Sequence, residues 1–293
     1  NMQDPEDGGV FSVIKPISWY QYDMPDASIK RIIFPKNTIE TAAFAAAFAR
    51  LARSPLLKKY SPNLISKFKD QALLAWDFLE KNSKQRYPVG DHGEFDDYSK
   101  KHNSYGIPYG SLDDRAWAAI ELYAITGDSK FYEYAKKFHH PLEDNSYINI
   151  NRTISLWDIS LPSLENGFQE ASINAFKSTV EVYKNESQET PYGPMIPTYA
   201  KSNNCCMGWY FPLADKSFDL MLAYKLYNNI EYKNVVLDQL YYSTGANPTN
   251  TTFITGLGHR QITEIVGQKS SYDDITPPAV GLPKGLITTS KTK

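Results

Sequence analysis

Apolar positions recur every three or four residues over much of the chain, and the runs come in pairs. Thr38 to Arg53 (TIETAAFAAAFARLAR) is Ala-rich and apolar all round, which predicts a helix buried on every side and capped by Asn37 or Thr38. Ser61-Pro62 reads as the cap and first-turn proline of the next helix. That helix is expected to run to about Asn82 through Ile65, Phe68, Ala72, Leu73, Trp76 and Leu79. A Gly/Pro/Tyr/Asp-rich loop, Arg86 to Ser111, leads to a helix over Leu112 to Thr126 that stops at Gly127. Asp128-Ser129 restarts the chain into Lys130 to His139, which makes a helical hairpin with a short link. Further helices are predicted within Ser163 to Lys184, over Leu213 to Tyr227 and over Glu231 to Tyr242, the last two joined at Asn228-Asn229. A short apolar alternation, Val10, Phe11, Val13 and Ile14, follows an acidic turn ending in Gly8-Gly9.

Consecutive antiparallel helix pairs, long irregular loops and no strand–helix–strand alternation predict an all-α, α/α architecture. Both a closed ring of hairpins and an open solenoid fit this pattern. The pairs have no fixed spacing, which disfavours the common short helical repeats. About eight helices are visible, whereas a closed barrel of six hairpins needs twelve.

Composition adds three constraints. With 293 residues, 42% of them hydrophobic, the chain can bury a sizeable core in one large domain or two smaller ones. A formal charge of −2 leaves no basic field for nucleic acid or anionic lipid, and no apolar run reaches the length of a membrane span. No signal peptide is seen, and a processed chain would read the same way. Tyr (21), Phe (14) and Trp (5) make up 14% of the chain. Many of these are core residues, but flat faces with polar tips also suit sugar rings. The adjacent Cys205 and Cys206 form no disulfide framework and read as buried thiols.

Several stretches carry a family likeness in the right order. They are MQDPEDGGVF (2–11), Met24-Pro25-Asp26, RIIFPKNTIETAAFAAAFA (31–49), DDRAWAAIELYAITGD (113–128), PLADKSFDLMLAYKL (212–226) and DQLYYSTGANPTNTTFITGLG (238–258). This set resembles the family 9 glycoside hydrolases, the cellulase-like enzymes. The resemblance implies an (α/α)6 barrel with an open cleft at one end, cleaving β-linked glucans with inversion. Inversion needs one carboxylate to activate water and one carboxylic acid to protonate the leaving oxygen, roughly 6.5–9.5 Å apart. In the family, the Asp-Ala-Gly-Asp element carrying the base lies upstream of the counterpart of Met2. The acid Glu lies downstream of the counterpart of Pro283-Lys284-Gly285. The expectation is that residues 1–293 are one catalytic-type (α/α)6 domain fragment, incomplete in this chain and lacking the base segment and the acid segment. The rest of the barrel would then be on another chain or segment, removed, or unresolved.

The candidate residues follow. No catalytic residue is assigned. In the acidic stretch VGDHGEFDDY (89–98), Asp91, Glu94, Asp96 and Asp97 have acid/base chemistry but the wrong place in the family order. A solvated loop explains them, as does a calcium loop with hard oxygen ligands. No other cofactor or metal is implied. Asp113 and Asp114 suit the dipole of the helix they open, and their place at a loop-to-helix junction makes Asp114 a candidate for substrate contact. Asn203 to Tyr210 (NNCCMGWY) is a Gly-hinged loop that the resemblance places along the cleft. Trp209 and Tyr210 are candidates for sugar contact there, and Asn204 for hydrogen bonding to hydroxyls, though turn chemistry also explains the asparagines. After TGLG, typical members carry a His-His-Arg element where this chain has EIVGQ (264–268). His259 and Arg260 are candidates to substitute through a shifted loop. His139-His140, after Lys136-Lys137 at a helix C-terminus, reads as structural.

The implied function is part of an inverting glycoside hydrolase acting on β-linked glucans or related oligosaccharides, in an extracellular, periplasmic or cell-surface setting. The EIVGQ departure motivates an alternative: a non-catalytic carbohydrate-binding or surface-scaffold protein on the same fold. A helical protein-interaction scaffold is a third reading.

Overall fold

Asn37 sets the start of the first long helix. From an extended backbone, its Oδ1 accepts from the N–H groups of Ile39 and Glu40, both at 3.0 Å. A cap of this kind is worth ~1 kcal/mol. The computed structural model describes residues 2–12, 14–16, 30–83, 88–89, 94–95, 112–138, 166–195, 216–254 and 256–261. They lie in two compact units, Asn1–Gln21 with Ala27–Ala175 and Tyr22–Asp26 with Phe176–Lys293.

In the first unit, short strands β1 (Val10–Phe11), β2 (Ile14–Pro16), β3 (Arg31–Ile33) and β4 (Lys36–Asn37) form two antiparallel pairs, β1 with β4 and β2 with β3. Register pairs Val10 with Asn37 and Phe11 with Lys36, so β1 is strapped to the residues that start the helix. The helices are α1 (Thr38–Ala52), α2 (Pro55–Tyr60), α3 (Asn63–Lys81), α4 (Leu112–Thr126) and α5 (Ser129–Phe138). Before α4, strands β5 (Pro88–Val89) and β6 (Glu94–Phe95) pair antiparallel. The acidic stretch expected as irregular loop therefore contains a small hairpin, with Val89 opposite Glu94.

Two expectations need correction. Helix α1 is covered along most of its surface, but Leu51 keeps 40% of its accessible area, so burial is not complete on every side. Ser61 does not cap α3. It ends α2, and α3 begins after Pro62 without a side-chain cap. The earlier Ser54-Pro55 makes the motif instead: Ser54 Oγ accepts from Leu57 N–H at 3.3 Å, with Pro55 in the first turn of α2.

Contacts fix the helix directions. Glu40, near the start of α1, acts on Asp114, near the start of α4. Arg50 and Arg53, at the end of α1, reach Glu121 further along α4. Helices α1 and α4 thus run parallel. Arg115 at the start of α4 donates to the carbonyls of Leu79 and Asn82 at the end of α3, so α3 runs opposite to α4. Helix α5 turns back through Gly127, whose φ of 72° suits the left-handed cap, and Asp128, whose Oδ1 accepts from Lys130 N–H. The core joins Ala42, Ala45, Ala46 and Ala49 of α1 to Ala118, Ala119 and Leu122 of α4 and to Ala72, Trp76 and Leu79 of α3. Small side chains on α1 and α4 let the two axes approach closely, while Trp76 fills the wider gap and packs edge-on to Phe131 and Tyr134 of α5. Full burial of a side chain such as Leu79 contributes ~2 kcal/mol.

The second unit holds α6 (Asn166–Gln188, which enters it at Phe176), α7 (Ser217–Tyr227) and α8 (Ile230–Ser243). The tight link expected at Asn228-Asn229 is present. Asn228 takes a left-handed φ of 50° to end α7, and Asn229 Oδ1 accepts from Glu231 N–H to start α8. Helix α6 reaches Gln188, beyond the expected Lys184, because its last turn is anchored. Glu186 pairs with Lys216 at the start of α7, and Ser187 Oγ donates to Gly193 O. Tyr232 of α8 donates to Glu181 at 2.5 Å, which ties α8 to α6.

Candidate functional site

Asp114 is the expected contact residue that the first unit places. It sits in the first turn of α4, partly buried, at the end where α1 also begins. A helix N-terminus favours an ionised carboxylate by roughly 0.3–1 kcal/mol. Here burial wins, and the negative charge of Glu40 adds to it, so the carboxyl is pushed up to about 7. The dipole reading of Asp114 is therefore overridden by its surroundings. Near neutral pH this group can give or take a proton, or donate a hydrogen bond to a hydroxyl.

Glu40 was not singled out in the sequence. Its Oε1 accepts from Ser12 Oγ at 2.9 Å, and its Oε2 is buried with no hydrogen-bond partner among the described residues. Ser12 is held in place by β1: Val10 N–H donates to Thr41 Oγ1 at 2.9 Å, and Thr41 Oγ1 donates to Asn37 O. The acidic turn before β1 is fastened too. Lys36 Nζ bridges Asp4 and Asp7 at 2.8 and 2.7 Å, and Gln3 donates to Gln71 O of α3. Gly8 and Gly9 lie against α3, where a Cβ on Gly8 would stand 2.1 Å from Leu74 O. The turn and its two glycines thus hold the strap carrying Ser12.

Two buried charges inside DDRAWAAIELYAITGD were also missed. Arg115 sends its Nη1 and Nη2 to Leu79 O and Asn82 O at 2.8 and 2.6 Å, meeting the negative end of α3. Glu121 receives Arg50 at 3.0 Å and Arg53 at 2.7 Å. The available signal was a charge in an otherwise apolar helix, which has to be paired if buried.

In the second unit, His259 and Arg260 are exposed on a tied loop after α8. Thr252 N–H donates to Arg260 O at 2.8 Å, Phe253 N–H to Ser243 O at 2.8 Å, and Gly256 N–H to Gln261 Oε1. Asn247 braces the turn, donating to Tyr242 O and Thr251 O and accepting from Thr249. Gly258, with φ of 79°, leaves room for Thr252 Oγ1, which would be 2.8 Å from a Cβ there. The fastened backbone presents an imidazole and a guanidinium to solvent, both suited to hydroxyl or anionic groups. Asn204, Trp209, Tyr210, Cys205, Cys206, His139 and His140 lie outside the described residues, as do Asp91, Asp96, Asp97 and the stretch 264–268. Among the described residues no cluster of three or more His, Cys, Asp or Glu could hold a metal ion.

The sequence profile described as Glycosyl hydrolase family 9 matches residues 4–289. The chain belongs to that family. Among its relatives, a cellodextrinase from Butyrivibrio fibrisolvens is 24% identical over 301 residues, covering 96% of this chain and 52% of the relative. Endoglucanase D from Acetivibrio thermocellus is 23% identical over 266 residues, covering 86% of this chain and 39% of the relative. A metagenome-derived family 9 endoglucanase of known structure superposes with a TM-score of 0.74 at 24% identity, covering 92% of this chain and 48% of that one. The chain thus spans between 39% and 52% of the length of these relatives. The fold class is the all-α, (α/α)6 type expected from the sequence.

Proposed function

We propose that this chain is part of an inverting glycoside hydrolase that cleaves β-linked glucans or related oligosaccharides. The observation that carries the reading is the family match over residues 4–289, together with relatives named for action on cellodextrins and glucans. In this reading α1 and α4 form part of the helical wall. Asp114 at their N-terminal ends is a candidate for sugar contact, and so, each taken by itself, are His259 and Arg260 on the tied loop and Asn204, Trp209 and Tyr210 in the sequence. The base and the acid are assigned to no residue of this chain, so residues 1–293 alone are expected to bind cello-oligosaccharides without cleaving them. Their partner is the glycan, together with another chain or segment that supplies the rest of the barrel. Among the described residues no helix is long and apolar enough to cross a membrane. A polymeric substrate supports an extracellular, periplasmic or cell-surface setting.

The test pairs a calorimetric titration with cello-oligosaccharides and a chromatographic search for shorter products. When the base and the acid are supplied together with residues 1–293, inversion predicts that the first sugar released from a β-link is the α-anomer. Release of the β-anomer would contradict it. The substitution of EIVGQ for the family's His-His-Arg element favours a second reading, binding without catalysis. That reading predicts sugar affinity with no turnover even when both carboxyls are supplied.

A further inference from the structure

We propose that Tyr192 is a further sugar-contact residue, an aromatic platform presented by a fastened turn after α6. The backbone comes first. Among the described residues, those other than glycine with a positive φ are Asn228 at 50°, Asn250 at 47° and Tyr192 at 67°. Asparagine visits this left-handed conformation because its short polar side chain can bond locally. A bulky aromatic has no such compensation, and its Cβ crowds the carbonyl oxygen. Holding it there lowers the ratio of folded to unfolded chain by roughly fivefold to thirtyfold. Burial does not offset this, because Tyr192 keeps 57% of its accessible area. The next residue is a glycine, so the residue type that suits this backbone is in use one position away.

The turn is fixed from two helices of the second unit. Gly193 O accepts from Ser187 Oγ of α6 and from Gln239 Nε2 of α8, the latter at 2.7 Å. Gln239 is buried, and its Oε1 accepts from the N–H of the fully buried Met195 at 2.9 Å. On the near side, Gly193 N–H donates to Thr190 O at 3.1 Å, and Gly193 itself has a φ of 77°. With its neighbours pinned in this way, Tyr192 is held in the left-handed region. Conformations of this kind persist where the surroundings impose them, and they cluster at ligand contacts. The residue presented is a flat apolar ring with a hydroxyl at its tip, a form that suits the face and rim of a sugar. In the sequence it belongs to the same connection between α6 and α7 as Asn204, Trp209 and Tyr210. The choice of a sugar as ligand rests on the proposed action on β-linked glucans, whereas the imposed backbone does not.

The test is a calorimetric titration of the 293-residue chain with cellohexaose, paired with urea unfolding, on the wild type, Tyr192→Gly and Tyr192→Phe. Tyr192→Gly is expected to weaken binding by roughly threefold to tenfold, the range of an aromatic contact. It is also expected to resist urea at least as well as the wild type, because glycine takes a positive φ freely. Tyr192→Phe keeps the ring and should keep most of the affinity. A Tyr192→Phe chain that binds as weakly as Tyr192→Gly would overturn the platform. A Tyr192→Gly chain that unfolds at lower urea, or does not fold, would overturn it too, since the ring would then serve packing. No heat from the wild type would refute the glucan reading and the ligand of Tyr192 with it. Equal affinity in the wild type and Tyr192→Gly would refute the role of Tyr192 alone.

Discussion

Arg53 Nε stands 2.7 Å from Glu121 Oε2, a carboxylate whose side chain has no accessible surface, and Arg50 Nη1 meets the other oxygen at 3.0 Å. The cluster fastens the end of α1 to the body of the parallel helix α4. Its energetics are asymmetric, because a buried ion pair is often worth little against an apolar replacement, while removal of one partner strands a charge. Glu121→Ala should cost about 3–5 kcal/mol in urea unfolding, since it leaves two guanidinium groups beside a cavity. Arg50→Ala alone should cost much less, because Arg50 is the more exposed partner and Arg53 remains.

Lys216 and Glu186 allow a sharper version of this comparison, because both side chains are only 9% exposed. Lys216→Ala should destabilise by about 3–5 kcal/mol. Replacing both residues together by apolar groups of similar size should lose less than the single change. A double-mutant cycle in denaturant measures the difference.

Gly8 and Gly127 both have positive φ, at 84° and 72°, but differ in what surrounds them. At Gly127 nothing lies within 4 Å of an added Cβ, so Gly127→Ala should cost only the backbone term of about 1–2 kcal/mol. At Gly8 an added Cβ would stand 2.1 Å from Leu74 O. Gly8→Ala therefore has to move the acidic turn off α3 and should cost well over 2 kcal/mol. Thermal unfolding of the two variants side by side checks the order.

These positions also show what the sequence made legible. The Ala-rich run of α1, the Gly127 stop and the Asn228-Asn229 link were readable because cap chemistry and helical periodicity are local. Strands of two or three residues have no period to detect, so the β1–β4 strap and the β5–β6 hairpin were not. Ser61-Pro62 reads as a cap although Ser54-Pro55 has that role, because two Ser-Pro pairs seven residues apart look alike in a sequence that does not reveal the six-residue α2. In the candidate site, Asp114 was picked out by its junction. Glu40 was not, because its environment depends on α4 and on Ser12, which are distant in sequence.

The raised Asp114 carboxyl has a consequence for stability. Between the ordinary carboxylate range near pH 4 and about pH 7, the folded chain keeps a proton that the unfolded chain has lost. The contribution of Asp114 is thus most favourable in acid, declines as pH rises through that window, and is level above it. Asp114→Asn mimics the neutral form and removes the decline. Urea unfolding from pH 4 to pH 9 should show the variant gaining on the wild type up to about pH 7 and no further. A constant difference across the range would mean that Asp114 titrates like an ordinary carboxylate.

Sugar contact by Trp209 predicts that Trp209→Ala weakens cello-oligosaccharide binding by about 1 kcal/mol. Unchanged affinity by calorimetry would remove Trp209 from the sugar path.

The most direct test of the account is calorimetric titration of residues 1–293 with a cello-oligosaccharide, followed by chromatography of the same sample after prolonged incubation. The account predicts saturable binding with the oligosaccharide recovered intact. Absence of any binding heat, or shorter products whose formation is lost in Asp91→Ala, would contradict it.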